Sequence, residues 1–228
     1  RMLAGWSRTL GPPLLHDDSI VALAVSRDGR LAVTASHDNT ARCWNLENGQ
    51  PIGQAWEHEE DVVDVALSAD GLLAVTACDD NLARLWNTAT ATRQGKPFKH
   101  KGDVTAVAIS ADGSRVVTVS GQVAQIWRTA DHQPVGAPLE HRQAIRDVEI
   151  SSSGTLVLTA GADHNAQLWN ATTGKPLGNP WQHTDEVVAI ALSEDEKIAV
   201  TGSLDHTARI WDVATGTPLG APLIHDQD

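Results

Sequence analysis

Six histidines divide this chain at a nearly constant interval. His16, His58, His100, His141, His183 and His225 stand 42, 42, 41, 42 and 42 residues apart. Trp44, Trp86, Trp127, Trp169 and Trp211 keep the same interval, each 27 or 28 residues after its histidine. So do Gly11, Gly53, Gly95, Gly136, Gly178 and Gly220. Three residue types locked to one period describe an array of units. Such units bury their apolar faces against their neighbours, so no residue can be assigned chemistry before the array is recognised.

The unit from His16 to Glu57 holds apolar runs at Ile20 to Val25, Leu31 to Ala35 and Ala41 to Trp44. The breaks between them read SRDG, SHDN and NLENG, and a fourth stretch, Gln50 to Trp56, leads to the next histidine. Short β-branched and aliphatic runs bounded by Gly, Asp, Asn and Ser predict strands. Asp28-Gly29 suits a tight hairpin because glycine accepts positive φ. No segment carries a 3.6-residue period long enough for a stable helix.

The order His, Asp, Trp, the S-x-D-G hairpin and a strand ending in Trp resemble the WD-repeat β-propeller family. The resemblance covers nearly the whole chain. The Trp-Asp dipeptide itself occurs at Trp211-Asp212, while Asn45, Asn87, Arg128 and Asn170 follow the other tryptophans. The resemblance implies an all-β propeller of four-stranded antiparallel blades. Five complete blades are expected at 16–57, 58–99, 100–140, 141–182 and 183–224 of a single domain over 1–228. Residues 1–15 then form the tail of a preceding blade, with Met2 at its tryptophan position and an extra outer strand at 8–15.

Family resemblance also implies a hydrogen-bonded chain in each blade, which would satisfy the buried indole N–H. The matching sets are Trp44–Thr34–His16–Asp38, Trp86–Thr76–His58–Asp80, Trp169–Thr159–His141–Asp163 and Trp211–Thr201–His183–Asp205. Blade three, VSGQVAQIW, is one residue short, so Trp127, Thr118 and His100 lack an aspartate and a looser turn is expected around Gly121. Blade five replaces S-x-D-G with SEDEK, and Glu196 at the glycine position predicts a different turn geometry.

Composition removes several function classes. Net charge is −12, with 29 acidic and 17 basic residues and no basic cluster, which disfavours nucleic acid. No apolar run approaches a membrane span. No signal peptide is visible at Arg1, which stands in mid-unit. Cys43 and Cys78 occupy different strand positions in different blades, so a disulfide framework is not expected and the cytoplasm is the simpler location. A ring spreads the periodic histidines apart, against the convergence a metal needs. Four near-equal copies of Ser, His and Asp give no privileged nucleophile, and no G-x-S-x-G elbow or phosphate loop occurs. No catalytic residue, cofactor or metal is expected.

A uniform framework with variable loops is what a binding platform needs. Positions expected on one face differ between blades: Asp61, Asp103, Arg146 and Glu186 near the histidines, and His37, Asp79 and Leu204 in the second-to-third-strand turns. These are the candidate binding residues, suited to a protein or peptide with basic and apolar side chains. Five blades plus a stray strand fit closure poorly. The expected context is a longer regulatory protein; a five-bladed ring, and self-association through open end blades as a structural module, are the alternatives. The proline-rich stretches G-x-P-L-G-x-P at 174–180 and 216–222 are similar to bacterial WD-repeat arrays, which often accompany kinase or NTPase domains.

Overall fold

A computed structural model describes residues 13–225. Five antiparallel sheets follow one another along the chain, each in sequence order from inner to outer strand. The first sheet runs Ile20–Val25, Leu31–Ser36 and Thr40–Asn45, with an outer strand broken into Gln50–Pro51 and Trp56–Glu57. The second runs Val62–Leu67, Leu73–Cys78, Leu82–Asn87 and Thr92–Lys99, and the fourth Ile145–Ile150, Leu156–Gly161, Asn165–Asn170 and Lys175–Gln182. The third begins at Ala106–Ile109, and the fifth ends in two short pieces, Thr217–Pro218 and Leu223–Ile224. Among the described residues no helix forms, as the absence of a helical period predicts. Of the extra outer strand expected at 8–15, residues 8–12, with Met2 and Gly11, lie outside the described residues, and residues 13–15 form no strand.

The core lies between the sheets. Each of four apolar clusters joins one blade to the next, such as Val33, Ala41, Cys43 and Trp56 of the first with Val62, Val65, Ala74 and Trp86 of the second. The periodic indoles anchor these seams. Trp44, Trp86, Trp169 and Trp211 are buried, and Trp127 is half-buried. Burying one indole removes about 150–250 Å² of surface, an upper bound of roughly 4–6 kcal/mol. The residue two positions before each histidine completes the seam: Trp56 stacks on Trp86 at 4.9 Å and Trp181 on Trp211 at 5.2 Å.

Inner strands carry a second fastening. Asp64 accepts the Val107 N–H across the second seam at 2.8 Å, and Asp147 accepts the Ile190 N–H across the fourth at 3.0 Å. Glu149 accepts the Leu192 N–H at 2.6 Å. These carboxylates satisfy edge amides that have no strand partner on that side.

Two turn expectations need correction. The third blade's turn at Gly121 is tighter, not looser. Ser120 pairs with Val123 across two residues, and Gly121 takes φ +59. The missing residue is the one that carries aspartate in the other blades. The SEDEK turn also keeps the common geometry. Glu196 adopts φ 58 where other blades have glycine, and its N–H reaches the Ser193 carbonyl at 2.8 Å, as Gly29 reaches Ser26 at 2.9 Å. Ser193 and Asp195 hold this turn with a 2.8 Å bond, so the hairpin's hydroxyl–carboxylate pair dictates the turn even without glycine.

Candidate functional site

The threonine in each second strand is the pivot of a blade. Trp44 Nε1–H donates to Thr34 Oγ1 at 2.8 Å, and His16 Nε2 meets the same oxygen at 2.7 Å. The pattern repeats at Thr76, Thr118, Thr159 and Thr201, with indole distances of 3.0, 2.8, 2.8 and 2.9 Å. On the other side of the ring, His16 Nδ1–H donates to Asp38 at 2.9 Å, His141 to Asp163 at 3.1 Å and His183 to Asp205 at 3.0 Å. This side chain relay fixes the loop that carries the candidate binding residues. Asp38 and Asp163 also accept the N–H of the residue after the histidine.

The second blade departs from the expected set. Asp80 does not meet His58. It pairs with Arg84 through two bonds of 3.1 and 2.6 Å, and His58 Nδ1–H donates to the Trp56 carbonyl at 2.9 Å instead. Arginine alone is not the cause, because Arg42 and Arg209 hold the same position in blades one and five. There Thr40 and Thr207 each donate a 2.6 Å bond that aims the aspartate at its histidine. Blade two has Leu82 at that position, so only a backbone N–H and no side-chain hydroxyl holds the carboxylate, and it turns to the guanidinium. Leu82 in place of a hydroxyl was the sequence signal for this change. In the third blade His100 meets only Thr118, at 2.8 Å, as the missing aspartate predicts.

These environments shift the titrations. Burial, with the Arg84 charge second, pushes His58 down to about 4. Burial lowers His100, and it lowers His183 despite the opposing bond from Asp205. Hydrogen bonds from Thr207, Thr184 and His183 outweigh burial and hold Asp205 well below the carboxylate range. Lowering keeps His58, His100 and His183 neutral parts of the framework, with Nδ1 of His58 and His183 donating to the carbonyl or carboxylate it faces.

Antiparallel order puts the loops before each inner strand and the second-to-third-strand turns on one face. The candidate residues fall there in two groups. His37, Asp61, Asp79 and Asp103 gather across blades one to three, with His37 Nε2 4.0 Å from Asp61. Asp79 is raised by partial burial and then by the charges of Asp103 and Asp61. Arg146 and Glu186 bridge blades four and five at 2.9 Å. Leu204 is exposed beside Glu186, whose carbonyl accepts its N–H at 2.9 Å. Among the described residues no three His, Cys, Asp or Glu side chains are grouped to hold a metal ion.

Residues 14–45, 49–87 and 93–128 match the model of the WD domain, G-beta repeat. These three segments are similar to WD repeats. Residues 111–220 match the DDB1- and CUL4-associated factor 12 beta propeller model, so the second half of this WD-repeat array is similar to that propeller. No curated protein matches the chain. Propellers of this kind are in general protein-interaction scaffolds, and the variable loop face over a repeated framework is the part of this one suited to that work.

Proposed function

We propose that this propeller is a noncatalytic scaffold whose loop face binds a protein or peptide segment carrying basic and apolar side chains. The carrying observation is the Asp61, Asp79 and Asp103 group. Partial burial and then repulsion from Asp103 and Asp61 raise Asp79, and no basic residue but His37 figures among the charges acting on it. A cationic side chain entering the group relieves that repulsion, and Leu204 offers an apolar contact farther round the face. The net charge of −12 favours the same partner and disfavours nucleic acid.

The domain reading is a single array with blade limits at 16–57, 58–99, 100–140, 141–182 and 183–224. Buried free thiols at Cys43 and Cys78 support a reducing, cytoplasmic setting. The G-x-P-L outer strands support an array of bacterial type. The context we favour is the interaction part of a larger protein.

A second reading, self-association, has its own support. Leu23 and Val25 of the first blade are 67% and 50% exposed, and Val200 of the fifth is 36% exposed. Their counterparts Val65, Val107 and Val148, and Val33, Val75 and Val117, are buried within seams. Among the described residues the one ion pair between these end blades is Arg27 with Glu194 at 2.5 Å, a reach of two exposed side chains. A monomer at high concentration by sedimentation removes this reading.

Affinity capture with the unaltered chain and with Asp61→Lys/Asp79→Lys/Asp103→Lys tests the first. The expected outcome is loss of captured partners in the variant with an unchanged melting curve. Equal recovery by both proteins rejects the acidic face.

A further inference from the structure

At every seam an outer-strand glycine faces the turn that precedes the next blade's outer strand. Gly53 faces Ala91, Gly95 faces His132, and Gly136 faces Thr173 and Gly174; a Cβ on any of these three glycines would collide. Gly178 holds the same place at the fourth seam, five residues before its histidine, yet nothing lies within 4 Å of its Cβ position. Beside it opens a cavity of about 1000 Å³, lined by Leu156, Leu168, Leu177, Trp181, Trp211 and Val213 among others.

Sequence differences between the seams explain the opening. At the second seam the turn residue is His132. Its ring covers Gly95 and stacks on Phe98 at 4.8 Å and 22°, while Phe98 packs on Trp127 at 5.2 Å. At the fourth seam the turn residue is Gly216, which has no side chain to insert. The third seam also has glycine on both sides, but there the floor is the smaller Leu139 and the Thr173–Gly174 backbone closes down on Gly136. The fourth seam's floor is an indole. Trp181 Nε1 stands 3.2 Å from where a Gly216 Cβ would be, which keeps the turn from closing.

The cavity therefore lacks one layer of a stack that is complete two blades earlier. Trp127, Phe98 and His132 form three layers; Trp211 and Trp181 form two, at 5.2 Å and 8°. Trp181 is 3% exposed. No protein hydrogen bond is formed by its Nε1–H among the described residues, and Trp181 borders the open groove, whereas Trp211 Nε1–H is bonded to Thr201. None of the lining residues is charged, in a chain with 46 acidic and basic residues, 29 and 17. A charged group would enter without a counter-ion, at high desolvation cost.

We propose that the groove between blades four and five binds a neutral aromatic side chain of a peptide. The ring takes the place of His132 and stacks on Trp181, and an adjoining backbone carbonyl accepts the Trp181 Nε1–H. The peptide source rests on the scaffold reading above, but none of the loop-face candidates lines the groove, so the site stands or falls separately. Aromatic stacking and a satisfied indole supply the recognition.

The test uses acetyl-Gly-Gly-Phe-Gly-Gly-amide, with Ala in place of Phe as control, read by the indole N–H resonances of the intact chain. The expected result is a saturable shift of the Trp181 resonance with the Phe peptide only, while the Trp211 resonance, tied to Thr201, reports an intact blade. Gly216→His supplies the chain's own plug, at a backbone position where His132 already adopts φ 57, and is expected to weaken binding at least about tenfold. Trp181→Leu, which copies the third seam, is expected to abolish it with Trp211 unmoved. No shift at millimolar peptide, or binding unchanged in Gly216→His or Trp181→Leu, overturns the proposal. The Asp61, Asp79 and Asp103 charge reversal leaves this binding intact, so failure here and failure of the loop-face reading are separate results.

Discussion

Blades two and four carry the same four residue types in the same order and build different polar centres from them. In blade four the relay runs from Trp169 through Thr159 and His141 to Asp163. In blade two it stops at His58, and Asp80 belongs to a buried ion pair with Arg84. The choice is made outside the relay: blade two has Arg84 to draw its carboxylate away, where blade four has the neutral Gln167, and the Asn165 amide bonds the Asp163 backbone carbonyl rather than its carboxylate. A repeat motif thus fixes the pivot of a blade, while a single neighbouring side chain fixes where its charge goes.

The sharpest test of that difference removes the carboxylates. Asp80→Ala strands a guanidinium whose side chain is 6% exposed, and losing one partner of a buried pair costs about 3–5 kcal/mol. Asp163→Ala removes an acceptor of the His141, Arg142 and Asn165 N–H groups and costs about 1–3 kcal/mol. Urea denaturation of both variants measures the gap. Equal losses would mean that the ion pair is no more than a second form of the relay. The pivot itself should not discriminate. Thr76→Val and Thr159→Val each orphan an indole and an imidazole, and both should lose about 2–3 kcal/mol.

The inner strands extend the contrast. Blade two fastens its neighbour with Asp64 alone, and blade four uses Asp147 and Glu149. Burial pushes Asp64 up to about 6 and, against the Leu192 hydrogen bond and aided by the Asp147 charge, Glu149 up to about 7. A carboxyl raised in the folded state supports the fold at low pH and loses that support as pH rises through its folded value. His58 acts in the other direction. Lowered to about 4, it favours the fold above the unfolded value near 6.5 and withdraws stability as pH falls toward 4. Two carboxyls lose support over the range in which one histidine gains it, so these groups together should make stability fall as pH rises from about 4.5 to about 7. Glu149→Gln keeps an acceptor for the Leu192 N–H without the charge. It should gain about 1–2 kcal/mol at pH 8, after allowance for solvent screening, and nothing at pH 5. Thermal melting across that range checks it, and a gain independent of pH contradicts a charged Glu149 as the cause.

Leu82→Thr goes to the origin of the contrast. A hydroxyl at that position should draw Asp80 back toward His58, as Thr40 and Thr207 do for their aspartates. The His58 imidazole should then titrate about one unit higher, because an opposite charge at hydrogen-bond distance favours its protonated form. Its ring proton shifts against pH measure this. An unmoved titration would assign the blade-two arrangement to Arg84 rather than to the missing hydroxyl.

The sequence period made the blades legible because each blade repeats the same burial problem: an indole to cover, an N–H to satisfy and a hairpin to close. His16, Thr34, Asp38 and Trp44 could be placed from spacing and family resemblance for that reason. Asp80 could not, since its partner depends on whether residue 82 donates a hydrogen bond, and spacing carries no such information. The fourth-seam cavity was illegible for a related reason. Gly178 and Gly216 each read as ordinary turn glycines, and the opening follows only from their meeting Trp181 across two blades. The inner carboxylates Asp64, Asp147 and Glu149 were missed although they break apolar strands; acid residues within inner runs were the available signal.

The smallest effect compares the turns beneath the two seams. Under the second seam Gly113 takes φ +67 without strain, against Leu73 and Ser68. Under the fourth, Glu196 takes φ 58, a conformation that costs a side chain about 1 kcal/mol. Its carboxylate returns part of that by accepting the Ser153 N–H across the seam at 2.8 Å, and bonds with Ser153 and Ser151 hold it below the usual glutamate range despite some burial. Glu196→Gly relieves the strain and breaks the fastening, so the two terms nearly cancel and stability should change by less than about 1 kcal/mol. Glu196→Ala keeps the strain and loses the bond, and should be the less stable of the two. Both variants lose the bond, so the difference between them measures the strain at φ 58, and the loss from the unaltered chain to Glu196→Ala measures the reach to Ser153; an Ala variant as stable as the unaltered chain removes that role.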